Sequence, residues 1–262
     1  MRIGSLFSGI GGLELGLERA GVGHVVWQVE IDEYCRSVLA RHWPDAQRYD
    51  DVRRIHGKHK CRWLDSPRAP WPCPDCIDDV DVICGGFPCQ DISYAGKGAG
   101  LAGERSGLWY EFARVVREVG PRFVVVENVA ALLDRGMGDV LGTLADLGYD
   151  AEWSVVSACS VGAAHPRDRV FIIAHAERYG LQGGPTDAQE GQGEPREEQL
   201  SGLLLAGFGD AVSAARVWRE SNGVPSRLDV PRNMAIGNAV VPQVAEVVGK
   251  RLLAIHRGRV AA

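Results

Sequence analysis

Short apolar runs alternate with amphipathic stretches through the first 175 residues, which restricts the chain to helices layered on a largely parallel sheet. Residues 2–7 read as a strand, and Gly9-Ile10-Gly11-Gly12 turns it into a helix carrying Leu13, Leu17 and Ala20 that Gly21 stops. Residues 25–29 read as the next strand. Asp32 then opens a helix that Pro44 cannot continue, because proline lacks the N–H and clashes with the preceding turn. Residues 80–84 and 123–126 are short and apolar, as strands covered on both faces are. Residues 149–157 and 170–174 complete the series. The expected class is α/β, with a Rossmann-like, mostly parallel sheet.

At 262 residues the chain is long enough to bury a full core, with room for an appendage. No apolar run approaches the ~18 residues that a membrane span needs. Residues 1–8 lead straight into the first strand, so no signal peptide is expected. Seven cysteines at irregular spacing argue against a disulfide framework and for a reducing cytoplasm. The net charge of −5 speaks against a nucleic-acid partner only until its distribution is read. Residues 177–198 hold six acidic residues and two arginines, a net of −4, and leave the rest of the chain at −1.

Composition changes at Gln182. From there to Gly202 the chain is rich in Gly, Gln, Glu and Pro, a solvated linker. A compact stretch with Phe208 and Trp218 follows at 203–227. Past Pro231 a helix is expected from about Pro242, where Val244, Val247, Val248 and Leu252 recur at helical spacing and pack back on the first domain. The expected division is therefore 1–175, 176–230 and 231–262, with a cysteine-containing insertion at about 53–78.

Three positions carry chemistry. The glycine turn at 9–12 lets backbone approach a ligand at a helix N-terminus, and Glu30 closes the second strand where an acidic residue takes ribose hydroxyls. A nicotinamide fingerprint would need glycine at 14, where Glu14 stands. Gly85-Gly86-Phe87-Pro88-Cys89-Gln90 sets a thiol just beyond a strand, presented by Pro88, whereas Cys84 inside the strand reads as structural. Glu127 ends a further strand on the same edge, either as a helix cap or as a catalytic acid paired with the thiol.

Taken together and in order, these motifs resemble the DNA cytosine-5 methyltransferases over residues 1–175 and 231–250. The resemblance implies a class I S-adenosylmethionine-dependent methyltransferase fold carrying a small target-recognition appendage. It implies S-adenosylmethionine bound by Phe7, Ser8, Gly9, Ile10, Gly11, Gly12, Glu30, Ile31, Asp51, Val52, Leu108, Asn238 and Val240, with Glu30 on the ribose and Asp51 on the adenine. Cys89 becomes the nucleophile, Glu127 the acid, and Arg167 and Arg169 the groups that hold the base. The implied reaction is methyl transfer to carbon 5 of a cytosine flipped out of double-stranded DNA, with residues 90–107, rich in glycine, as a closing loop.

Two departures stand out. His165-Pro166 replaces the glutamine and basic residue usual before the paired arginines, and the recognition region shrinks to at most 176–230. Base contacts are expected from 203–227, with Arg216, Arg219 and Arg227 as readers, rather than from the acidic linker. Three competing readings are the same chemistry on tRNA, an inert DNA- or cofactor-binding member, and a nicotinamide oxidoreductase. The expected setting is a monomer in a bacterial or phage-infected cytoplasm, nucleoid-associated when acting, with a partner restriction endonuclease left open.

Pro72-Cys73-Pro74-Asp75-Cys76 is a cysteine pair of zinc-knuckle spacing. Cys61 with His59 or His56 could complete four ligands, and the set Cys61, Cys73, Cys76 and His59 is taken as the candidate zinc site against a loop with incidental cysteines. Cys35 and Cys159 read as packed residues, and His24 and His175 carry no functional expectation.

Overall fold

The computed structural model describes residues 1–61, 73–88, 107–163, 167–176, 235 and 238–258. In chain order the elements are β1 (Arg2–Leu6), α1 (Gly12–Arg19), β2 (His24–Val29), α2 (Glu33–His42), β3 (Gln47–Tyr49), β4 (His56–Gly57), β5 (Cys76–Ile77) and β6 (Val82–Gly85). There follow α3 (Leu108–Val119), β7 (Phe123–Val129), α4 (Leu132–Arg135), α5 (Met137–Asp146), β8 (Tyr149–Ser157), β9 (Asp168–Ala176) and α6 (Pro242–His256). Asp32 caps α2 as its position suggests, its Oδ1 accepting from the Cys35 N–H at 2.8 Å.

Seven strands form one sheet in the order β3-β2-β1-β6-β7-β9-β8. The pairs from β3 through β7 are parallel, whereas β9 runs antiparallel to both β7 and β8. The reversal has a simple cause. Parallel neighbours need a crossover of about a dozen residues or more, and only residues 158–167, partly a 3₁₀ turn, join β8 to β9.

From β1 the chain steps outward to β2 and β3, then returns to β6 and β7 on the other side of β1. The order therefore reverses between β1 and β6, and the crevice at their carboxyl ends is where open α/β sheets bind ligands. Both faces are covered. Trp27, Trp109, Phe112 and Val126 sit in one apolar cluster, and Ile3, Leu17, Phe123 and Leu252 in the other. Helix α6 packs on α1 with Val244, Ala245, Val248 and Leu252 buried, while Val247 is only partly covered.

One charged side chain lies inside this packing. Glu14 of α1 is 0% exposed, and neither carboxylate oxygen has a hydrogen-bond partner among the described residues. Burial pushes its carboxyl up to about 7, which the nearby Ser5 and Ser8 hydroxyls only partly oppose. A carboxyl raised in the folded state favours folding below its unfolded value, and that contribution fades as pH rises through about 7. Between about pH 4.5 and 7.5 the wild type should lose about 3 kcal/mol relative to Glu14→Gln. Urea unfolding of both proteins across that window checks this, and parallel stability curves would refute it.

Candidate active site at the carboxyl edge of the sheet

A cleft of about 780 Å³ opens at the switch point. The segments after β1, β2 and β3 contribute Phe7 and Gly9, Glu30 and Ile31, and Asp51 and Val52. Gly86, Phe87 and Pro88 after β6, Glu127 in β7, Arg167 and Arg169 around the start of β9, Leu108 and Asn238 line it too, as do Cys35 of α2 and Arg53. Eleven of the seventeen residues expected at the catalytic and cofactor sites thus share one cavity.

Glu30 is oriented by backbone. Gly9 N–H donates to its Oε2 at 2.7 Å and Asp32 N–H to its Oε1 at 2.9 Å, so the carboxylate stands fixed at the rim. Next to it Ile31 is 70% exposed, an apolar surface with nothing above it among the described residues. Phe7 adopts φ 56°, the one non-glycine residue in the left-handed region among those described. For a bulky side chain this costs about 1–3 kcal/mol, and it turns the chain sharply from β1 into the glycine turn. Asp51 is already engaged, because the Arg53 guanidinium donates to both its carboxylate oxygens (Nη2 to Oδ2 at 2.7 Å) and holds its carboxyl below the usual carboxylate range.

The cleft wall does not include Ser8, Ile10, Gly11, Gly12 or Val240. Ser8 instead spans the turn, its N–H donating to Val29 O at 3.1 Å and its hydroxyl to Ser5 Oγ at 2.9 Å. Gly12 is required by packing: a Cβ there would strike the backbone carbonyl of Val240, so these two residues meet each other behind the pocket. Val240 lines a small separate depression with Arg167 and Arg169.

Glu127 does not cap a helix. It sits inside β7, 8% exposed, and Arg169 Nε lies 3.0 Å from its Oε1. Burial pushes its carboxyl up, against the pull of Arg169 and then Arg167. Gly86 allows the approach, since a Cβ there would lie 2.6 Å from Glu127 Oε2. The neighbouring Asn128 Nδ2 donates to Phe87 O at 3.1 Å and ties β7 to the loop leading to position 89. Cys89 itself lies outside the described residues, as do most of 90–107, His165, Pro166 and the whole of 177–230 with Arg216, Arg219 and Arg227. Pro88, the residue before Cys89, lines the cleft.

The cysteine cluster is assembled with one change of ligand. His56, Cys61, Cys73 and Cys76 bring their ligand atoms within 4.8 Å of one another. His59 is not among them; its side chain is 78% exposed and 3.8 Å from Asp79. The reason is the β4–β5 pairing, which sets His56 directly opposite Cys76, while His59 lies on the following 3₁₀ turn.

Of the other cysteines, Cys35 and Cys84 are buried as expected, and burial raises both thiols, Cys35 to about 12. Cys159 is exposed, contrary to expectation, because it falls on the 3₁₀ turn between β8 and β9. Arg53 at the cleft was missed by sequence reasoning, although an arginine two residues after Asp51 was a visible signal.

A mostly parallel sheet with one reversed strand, and a cleft holding a fixed carboxylate beside an acid–arginine pair, defines an α/β methyltransferase-type fold. Residues 1–206 match the family described as C-5 cytosine-specific DNA methylase, and the chain belongs to that family. It is similar to the type II methyltransferase M.Eco47II of Escherichia coli, 35% identical over 64% of this chain and 38% of that protein. It is also similar to the type II methyltransferase M.HhaI of Haemophilus parahaemolyticus, 29% identical over 70% of this chain and 51% of that protein. The chain thus spans about two fifths to one half of the length of the curated relatives it matches. Among solved structures, an E. coli prophage-encoded protein studied as a DNA modification methyltransferase superposes with TM-score 0.55 at 26% identity, over 70% of this chain and 49% of that one. The Dnmt2 methyltransferase of S. pombe shares the fold, with TM-score 0.54 at 16% identity over 79% and 57% of the two chains. No helix among the described residues is long and apolar enough to cross a membrane.

Proposed function

We propose that this chain methylates carbon 5 of cytosine in double-stranded DNA, with S-adenosylmethionine as the methyl donor. The observation that carries the reading is the buried Glu127, paired with the half-buried Arg169, sharing one cleft with Glu30, Ile31 and Asp51. The cofactor half fits a nucleoside. Glu30 offers fixed lone pairs to a ribose diol, Ile31 an apolar face to adenine, and Asp51 an acceptor to an exocyclic amine once it shares Arg53. S-adenosylmethionine supplies an electrophilic methyl group when bound; the remaining work falls to the protein. Cys89 would attack carbon 6, Glu127 would deliver a proton toward ring nitrogen N3, and Arg169 with Arg167 would hold the base oxygen.

On this reading residues 1–175, the returning α6 and the contacts at Asn238 form the catalytic unit, and 176–230 a reduced recognition region. Ser8, Ile10, Gly11, Gly12 and Val240 then shape the cofactor loop from behind. A structural zinc on Cys61, Cys73 and Cys76 belongs to the same reading, as do a monomeric state, a cytoplasmic location and a companion restriction endonuclease. The sister chemistry on tRNA is an outcome of the test. Incubated with labelled S-adenosylmethionine, the purified chain should label plasmid DNA and leave tRNA unlabelled. Bisulfite sequencing of that DNA should then place the methyl groups at one short motif of about two to four base pairs, because each reader is a single side chain in a groove. Label confined to tRNA would overturn the substrate, and label in neither the activity.

A further inference from the structure

We infer that His56, Cys61, Cys73 and Cys76 form a tetrahedral zinc site that fixes the Asp51–Val52 wall of the cofactor cleft; its second half rests on the nucleoside reading of that cleft. The geometry comes first. Tetrahedral zinc with Zn–S of about 2.3 Å and Zn–N of about 2.0 Å requires sulfur–nitrogen edges of roughly 3.5 Å. His56 Nε2 lies 3.4 Å from Cys76 Sγ and 3.7 Å from Cys73 Sγ. All four donor atoms fall within 4.8 Å, and Cys61 and Cys73 are buried, with His56 and Cys76 partly covered. Three sulfurs and one imidazole suit zinc, and four protein ligands leave no open position, so the site is structural rather than catalytic.

The surroundings support a bound cation. His56 Nδ1 faces the Arg54 carbonyl at 3.5 Å, an outer partner of the kind that commits Nε2 to a metal. Cys73 and Cys76 form a local turn, with Cys76 N–H donating to Cys73 O at 3.3 Å, and Asp75 O accepts from His56 N–H at 3.0 Å. Three thiols and an imidazole converging from two separate segments on one small volume are what a divalent ion with ligating thiolates requires.

The same residues reach the cleft through a short, rigid chain of bonds. Val52 lies four positions before His56, and the stretch between them is held on its other side by α3. Arg114 Nη2 donates to Val52 O at 2.7 Å and Nη1 to Ile55 O at 3.0 Å, and Gly57 N–H donates to Glu118 Oε2 at 2.9 Å. Tyr49, which ends β3 just before Asp50 and Asp51, donates its hydroxyl to Cys76 O at 2.6 Å. Residues 49–57 are thus clamped between α3 and the cysteine knuckle. Without the metal one jaw of that clamp opens, and Asp51 and Val52 lose their fixed place.

Linkage makes the coupling reciprocal: zinc and cofactor must raise each other's affinity by the same factor. The full chain, purified without chelator, should carry one zinc per molecule by mass spectrometry, and cobalt in its place should give the intense visible absorption of a tetrahedral thiolate site. His56→Ala and Cys73→Ser should lose the metal, and His59→Ala should keep it. Stripping wild-type zinc should weaken S-adenosylhomocysteine binding by about fivefold or more, and adding zinc back should restore it. These calorimetric measurements use the unmutated chain, so they stand even where a cysteine variant fails to fold. Glu30→Ala separates the two readings, since it should lose cofactor affinity and keep its zinc. A chain that neither carries nor takes up zinc, carries iron, or loses its metal on His59→Ala overturns the site. Equal S-adenosylhomocysteine affinity with and without zinc overturns the clamp.

Discussion

Replacing Cys89 with alanine is expected to lower methyl transfer by about 10⁴-fold or more, while cofactor binding and folding stay near wild type. Carbon 5 of cytosine is a poor nucleophile. When a thiolate adds to carbon 6, a carbon–sulfur bond forms and the displaced electron pair enriches carbon 5, which can then take the methyl group. Loss of the carbon 5 proton and expulsion of the thiolate restore the ring. Among the described residues of the cleft neither Glu127, paired with Arg169, nor Cys35, whose thiol burial raises to about 12, replaces the sulfur. The cofactor contacts assigned to Glu30 and Ile31 belong to the segment after β2, so they should survive the change. DNA carrying 5-fluorocytosine at target sites separates mechanism from mere binding. Fluorine cannot leave as a proton does, so the wild type should be trapped covalently and Cys89→Ala should not. An alanine protein that still methylates DNA would sink the covalent route.

The site was legible wherever a chemical group sat at a strand end. Glu30, Gly86 and Glu127 each follow or close an apolar run, whereas Asp51 follows the polar stretch Gln47-Arg48-Tyr49 and is reached only through the resemblance; parallel strands deliver all their carboxyl ends to one edge. What escaped was set by contacts between segments distant in the chain. Spacing alone treats His56 and His59 alike; the choice is made by the ladder that pairs His56 with Cys76, twenty residues away. Gly12 reads as a cofactor glycine, and only the fold shows that Val240, more than two hundred residues later, packs against it. The left-handed Phe7 breaks local preference, as residues at functional turns often do. Strand β9 looks like its neighbours in composition, and only the short connection from β8 shows that it must reverse.

Glu127→Gln should lower the turnover number by about 10²–10⁴ and change the shape of its pH dependence. The substitution keeps volume and leaves an amide beside Arg169, so S-adenosylhomocysteine binding should hold. In the wild type, burial raises the Glu127 carboxyl and Arg169 then Arg167 draw it back, which leaves a proton available above the usual carboxylate range. On the proposed reaction, catalysis needs that proton on Glu127 and needs Cys89 ionised. The first condition fails as pH rises through the raised carboxyl value, and the second fails as pH falls, so turnover should follow a bell. Glutamine can hydrogen-bond to N3 but cannot deliver a proton, so the variant should lose the alkaline descent and keep only the rise set by the thiol. The plain alternative is that Glu127 merely neutralises Arg169, whose side chain is largely covered at the head of β9. An ion-pair role predicts lower thermal stability and an unaltered profile, whereas an acid role predicts the reverse. If Glu127→Gln keeps the full bell, or turns over within tenfold of wild type across pH, the carboxyl is structural and the proton comes from elsewhere.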